Sequence, residues 1–293
     1  MKIIDILNNG KVNVSCELFP PKQFEQLVGA KQIVREVAAL APSFISVTYG
    51  AGGGTSDHTV DLARAAEDSG VTALAHLTCY SSVKTKVLSV IESLKQNNIQ
   101  NILALRGDRP ADVPPGEFHH ASELMELIAS QGDFCIGGAC YPECHPESRS
   151  LAADLDGLKR KIDSGCRFLT TQMFFDNAAF YKFAYHLRSA GIHVPLVAGI
   201  MPVTQSSQID RIVKLSGCGI PLELTAICDR FADDPAAMKQ AGIAFATNQI
   251  IDLVASGVNN IHIYTMNKPD IARAIMNNLS DIIGRQGTQY ETE

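Results

Sequence analysis

The stretch ILALRGDRP, residues 102–110, carries the reading of this chain. An apolar run suited to a buried strand stops abruptly at Arg106-Gly107-Asp108, with Pro110 just beyond. The same device recurs along the sequence. VNVSCEL (12–18) places Glu17 near its end, before Phe19-Pro20-Pro21, and FISVTYG (44–50) ends in Thr48-Tyr49-Gly50. TALAHLT (72–78) includes His76, and LTTQMF (169–174) includes Gln172. Strands that are apolar along their length and turn polar at their C-terminal ends are what a parallel β/α enzyme shows where its strands feed an active site.

Working outward, apolar strand candidates fall at 12–18, 44–49, 72–77, 102–105, 134–141, 168–173, 194–200 and 261–264, each separated from the next by helical sequence. Apolar residues keep helical spacing between them, as in Val83, Val87, Ile91 and Leu94, or Leu151, Leu155, Leu158 and Ile162. Small residues followed by glycine close the helical patterns at Gly70, Gly165, Gly191 and Gly257, where a strand pattern resumes. Eight β/α units in a chain of 293 residues predict an α/β fold, a closed (β/α)8 TIM barrel forming a single domain over residues 1–293. Between strands seven and eight the interval is long enough for extra helices. Residues 205–215 read as one, and a second has Asp234 as N-cap and Pro235 in its first turn. Residues 220–227, between them, read as a possible short extra strand.

Composition narrows the function class. With 46% hydrophobic and 19% charged residues the chain has material for a full core and no disorder signature. Net charge is −6 and the basic residues are scattered. The densest group, Lys159-Arg160-Lys161, lies in a helical pattern and reads as a solvated face, so no nucleic-acid partner is expected. The N-terminal MKIIDILNNG is too short in apolar residues for a signal peptide, and no apolar run is long enough to span a bilayer. A cytoplasmic protein without membrane contact is expected. Most of the eight cysteines sit in or beside apolar strand runs and are expected as thiols packed like small hydrophobes.

Glu17 is the leading chemical candidate. Desolvation favours the protonated form of a carboxyl group, which suits a general acid, and the prolines after Phe19 place this one at the barrel mouth. In Arg106-Gly107-Asp108 the glycine lets backbone approach a ligand while Asp108 accepts its hydrogen bonds. Gln172 carries an amide that both donates and accepts, which suits a heterocycle and equally suits a satisfied barrel interior. The glycine-rich run 50–55 lacks the Gly-Lys-Ser/Thr ending of a phosphate loop and reads as a loop after the second strand. Cys140, Cys144 and His145, with Cys79 and His76, invite a zinc reading. Their spacing matches no standard zinc pair, and no metal is expected. His145, between prolines, reads better as a fixed hydrogen-bonding or stacking partner.

Taken together and in order, SCELFPP (15–21), ISVTYGAGGGT (45–55), AHLTC (75–79), ALRGD (104–108), YPECHPES (141–148), DLDGLKRKIDSG (154–165), TTQMFFD (170–176), PLVAGIMPV (195–203) and HIYTMN (262–267) resemble the methylenetetrahydrofolate reductase family. The resemblance runs nearly the full chain and is to the short bacterial form, the catalytic barrel without the adenosylmethionine-binding regulatory domain. It implies a flavoenzyme with FAD along the C-terminal face of the barrel, reduced by NADH or NADPH. The folate substrate then takes the nicotinamide's place, and hydride passes to its one-carbon bridge, giving 5-methyltetrahydrofolate for methionine synthesis or one-carbon metabolism.

By matching position, Glu17 is the acid that protonates a folate nitrogen, and Asp108 hydrogen-bonds the pterin and tunes the flavin. Gln172 and Gln208 bind substrate, while Thr48, His76, Leu105, Arg106, Gly107, Asp108, Ala139, Tyr141, His145, Asp154 and Lys161 line the FAD. The chain departs from the family pattern at His119-His120, where an aromatic can cover the adenine, and at Ile212, where a phenylalanine can pack on substrate. A homo-oligomer is expected. Two alternatives share parts of this pattern: a catalytic subunit working with a small electron-transfer partner, and a zinc- or pterin-binding methyltransferase barrel.

Overall fold

The computed structural model describes residues 1–49, 56–80, 82–109 and 116–286. The glycine-rich run 50–55 lies outside the described residues. Among those described, eight strands follow one another around a closed barrel: β1 (Asn13–Leu18), β2 (Ile45–Val47), β3 (Ala73–Thr78), β4 (Asn101–Leu105), β5 (Cys135–Cys140), β6 (Cys166–Thr171), β7 (Leu196–Ile200) and β8 (Asn260–Tyr264). All neighbours pair in parallel, and β8 closes onto β1 with Ser15 opposite His262 and Glu17 opposite Tyr264. The helices are α1 (Ile3–Leu7), α2 (Leu27–Ala38), α3 (Ser56–Asp68), α4 (Lys84–Gln96), α5 (Ala121–Gln131), α6 (Leu151–Asp163), α7 (Asn177–Ser189), α8 (Gln208–Ser216), α9 (Leu222–Arg230), α10 (Pro235–Ala255) and α11 (Pro269–Asn278). No helix among the described residues is long and apolar enough to cross a membrane.

The expected spacing translates directly into buried faces. Val87, Ile91 and Leu94 of α4 are buried, while Val83 stands outside the helix as its N-cap residue. Helices α3, α6, α7 and α10 all end just before a positive-φ glycine: Gly70, Gly165, Gly191 and Gly257 respectively. Asp234 caps α10 as read, accepting from the Ala236 and Ala237 amides, with Pro235 in the first turn. Residues 220–227 correct the sequence reading. They are not a strand but the approach to and most of α9, which buries Leu224 and Cys228, one helical turn apart, on a single side.

Inside the barrel, alternate residues of each strand fill successive layers. The lower layers are apolar: Phe44, Leu74, Leu103, Cys135, Phe168 and Val197 form one cluster. Helix α1, which the sequence did not announce, closes the bottom by burying Ile3, Ile6 and Leu7 against that cluster. Each such side chain contributes roughly 1.5–3 kcal/mol of burial. Asn101 fastens the plug: its Oδ1 accepts from Ile3 N at 2.8 Å, and its Nδ2 donates to the Met1 and Ala73 carbonyls. Above this seal the inward residues become polar, with Ser15, Ser46, His76, His262 and then Glu17 on strands β1, β2, β3 and β8. The fold therefore offers one polar end, at the C-terminal ends of its strands.

Candidate active site

Glu17 stands near the top of β1 with a side chain one-fifth exposed, above two buried imidazoles. Its Oε2 lies 3.7 Å from His76 Nε2 and 3.6 Å from His262 Nε2. These separations are close electrostatic contacts rather than hydrogen bonds. His76 sits on β3 with its Nε2 2.5 Å from Ser46 Oγ. Burial depresses its pKa to about 4 against the opposing pull of Glu17, so it is uncharged near neutral pH. Tyr264, on the same face of β8, donates to the Thr171 carbonyl at 2.6 Å. Burial, followed by the Glu17 charge, pushes its pKa well above the usual tyrosine value. Gly199 makes room for that ring, since a Cβ there would lie 2.7 Å from the Tyr264 hydroxyl. A largely buried carboxyl group beside imidazole and phenol groups is suited to giving and taking one proton.

Around this centre lies a rim of charge. Arg106, following β4, binds Glu147 through two hydrogen bonds of 2.7 Å, and Arg109 approaches the same carboxylate at 3.4 Å. Gly107 has φ +88°, and a Cβ there would press within 3.2 Å of the Thr78 side chain. Asp108 is exposed beside it. After β5, the His145 ring packs edge-on against Tyr141 with centroids 4.5 Å apart, and its Nδ1 accepts from the Glu147 amide. Burial and the nearby Arg106 lower its pKa, so it too is neutral. Asp154, in the first turn of α6, holds this loop by accepting from the His145 amide and the Ser148 hydroxyl.

Lys161 corrects the sequence reading of its basic cluster. Lys159 and Arg160 are exposed, but Lys161 turns inward from α6 and donates to the Ala139 carbonyl at 2.7 Å. Burial lowers its pKa. The helical period explains the division, because Lys161 follows the buried Leu158 by one turn.

The remaining candidates are distributed around the same end. Thr48 follows β2, its amide donating to Leu18 O and its carbonyl accepting from Thr59. Leu105 packs onto the apolar interior layers. Gln172 lies just beyond β6, its Oε1 accepting from the Met173 amide at 3.0 Å. It also shares a hydrogen bond with Tyr141, whose pKa is nevertheless raised by burial. Gln208 opens α8, and its Oε1 is already engaged by the Thr204 and Gln205 amides. Ile212 is buried in a satellite core with Phe175, Met201 and Val203. The backbone amides of His119 and His120 donate to Glu123 at the start of α5.

His262, Ser15, Ser46, Tyr264 and Glu147 escaped the sequence reading. The period-two alternation of SCEL and HIY does put Ser15 with Glu17, and His262 with Tyr264, on common faces, but only the closure of β8 on β1 shows that those faces meet. Cys79, Cys140 and His76 are all buried. Burial pushes the Cys79 thiol up to about 12 and the Cys140 thiol higher still. Among the described residues no group of three or more His, Cys, Asp or Glu side chains could hold a metal ion.

Comparison with known proteins bears on this geometry. The family model described as methylenetetrahydrofolate reductase matches residues 2–280. The chain is 35% identical over 271 residues to the 5,10-methylenetetrahydrofolate reductase of Escherichia coli (strain K12), covering 92% of this chain and 91% of that protein. It is 36% identical over 295 residues to methylenetetrahydrofolate reductase (NADH) 1 of Zea mays, covering 95% of this chain and 50% of the maize protein. A solved Clostridium thermocellum protein, uncharacterized and binding two copies of 5-methyl-5,6,7,8-tetrahydrofolic acid, shares the fold with a TM-score of 0.67 at 15% identity. That alignment covers 96% of this chain and 99% of the clostridial one.

Proposed function

Because this chain belongs to the methylenetetrahydrofolate reductase family, we propose that it reduces 5,10-methylenetetrahydrofolate to 5-methyltetrahydrofolate with bound FAD and a nicotinamide cofactor, NADH or NADPH. The observation that carries the proposal is Glu17, a carboxyl group held over two buried imidazoles where the barrel opens. Opening the bridging ring of the folate requires a proton on one of its nitrogens. Glu17 supplies it: the carboxyl O–H bond breaks, the electron pair stays on the carboxylate, and an N–H bond forms on the folate.

The rim fits a flavin dinucleotide by the chemistry of its donors. Lys161 and Arg106 would meet the diphosphate with positive charge, and the neutral His145, Tyr141 and His76 would add hydrogen-bonding edges. Gly107 would let the backbone come close, with Thr48, Leu105, Ala139 and Asp154 completing the lining. When bound, FAD supplies the hydride chemistry, accepting from the nicotinamide and delivering to the folate. Asp108, exposed at the rim, would accept from the pterin, and Gln172 and the amide nitrogen of Gln208 would hold the rest of the substrate.

The deciding experiment is an anaerobic visible spectrum of the purified protein before and after addition of 5-methyltetrahydrofolate. Bleaching of the oxidised flavin band is expected, reporting bound flavin and reverse transfer from the folate together. Bleaching by folate without bleaching by NADH or NADPH would assign flavin reduction to an electron-transfer partner. Failure to bind FAD at all would overturn the proposal.

A further inference from the structure

Ser15, on the same inward face of β1 as Glu17, is fully buried, and its hydroxyl donates to the Ile261 carbonyl at 3.0 Å. A hydroxyl has a single hydrogen to give. The 2.7 Å contact between Ser15 Oγ and His262 Nδ1 is therefore donated by the ring. In the neutral ring the hydrogen-bond network thus assigns the Nδ1–H tautomer to His262 and leaves a lone pair on Nε2. That lone pair lies 3.6 Å from Glu17 Oε2. The ring is held in place, lying near-parallel to Phe44 at 6.1 Å and meeting Tyr264 edge-on at 5.3 Å.

We propose that His262, locked by Ser15, is the positioning residue that keeps the Glu17 proton on Oε2, directed at an acceptor that does not remove it, until a folate nitrogen takes it. The inference rests on Glu17 being the acid of the proposed reaction. A separation of 3.6 Å exceeds that of a hydrogen bond, so the imidazole steers the proton electrostatically without capturing it.

The other groups facing Glu17 do not compete for this role. His76, from β3, is uncharged and already in contact with Ser46 of β2. Tyr264, from β8, spends its proton on Thr171 O, and Thr265 donates to the backbone carbonyl of Glu17 rather than to its carboxyl group.

The test uses imidazole-15N-labelled protein and the flavin-loaded enzyme. NMR should find His262 as the Nδ1–H tautomer in the wild type, and Ser15→Ala should shift it toward a mixture. His262→Phe keeps a flat ring beside Phe44 but removes the lone pair. Flavin reoxidation by methylenetetrahydrofolate should then slow on the order of tenfold or more. The loss should fall on the rate constant and not on the half-saturating folate concentration. Ser15→Ala should show a smaller change of the same sign, which also serves if the phenylalanine variant fails to fold, and Ser15→Thr, which keeps the hydroxyl, should restore the rate. An Nε2–H tautomer in the wild type, or variants that match its rate, would overturn the inference. A wild-type flavin that methylenetetrahydrofolate never reoxidises would overturn the proposed reaction instead.

Discussion

Arg106 and Glu147 face each other through two hydrogen bonds of 2.7 Å, fastening the end of β4 to the loop after β5. A bidentate pair fixes the plane of the guanidinium as well as its position. The residue proposed to meet the FAD diphosphate is thus held ready by a glutamate that no reading of the sequence singled out. Glu147→Ala should weaken FAD binding about fivefold, since the freed side chain must then be ordered by the ligand. Flavin fluorescence titration measures this, and an unchanged affinity would detach Arg106 from the cofactor site.

Glu17→Gln removes the proton while preserving shape. The variant should retain FAD and its reduction by a nicotinamide, yet lose folate turnover by on the order of 10²–10⁴-fold. Rapid-mixing measurement of the two half-reactions separates them. Full activity with folate would remove Glu17 as the acid.

Asn101→Ala strikes the other end of the barrel. It strands the Ile3 amide and the Ala73 carbonyl, both paired with this side chain at about 3 Å. Leaving buried backbone groups unpaired costs about 1–3 kcal/mol each, so urea unfolding should show a loss of roughly 2–6 kcal/mol. The flavin spectrum of the folded fraction should not change, because the plug and the mouth lie at opposite ends.

His76 makes stability depend on pH. Its folded pKa, about 4, lies below the ordinary 6.5, so the unfolded chain binds more protons between those values. Its contribution is complete above about pH 6.5 and is lost as pH falls toward 4. Between about pH 7 and pH 5 the wild type should lose on the order of 2 kcal/mol through this group. His76→Asn, followed by urea unfolding at both pH values, should flatten that dependence. An equal slope in the two proteins would show that the imidazole is not buried neutral.

Much of this was legible in the chain itself. Apolar runs ending at Glu17, His76, Arg106 and Gln172 marked the barrel and its polar end, because strand period and strand-end polarity are local properties. Reading failed where one residue serves two patterns. Residues 220–227 alternate enough to pass for a strand, and Lys161 passes for surface beside Lys159 and Arg160. Only packing separates them, since burial on one helical face decides both cases.

The sequence alone thus determined the alternation of eight strands with helices and the polar residues, Glu17 among them, at the strand C-termini. Each depends on neighbours within a few residues. Barrel closure decided the rest. It brought His262 of β8 against Ser15 and Glu17 of β1, while the pairing of β4 with β5 carried Glu147 to Arg106 and a helix was set as a plug beneath Asn101. Those contacts join residues far apart in the chain, and their distances exist only once the strands have paired and the sheet has closed.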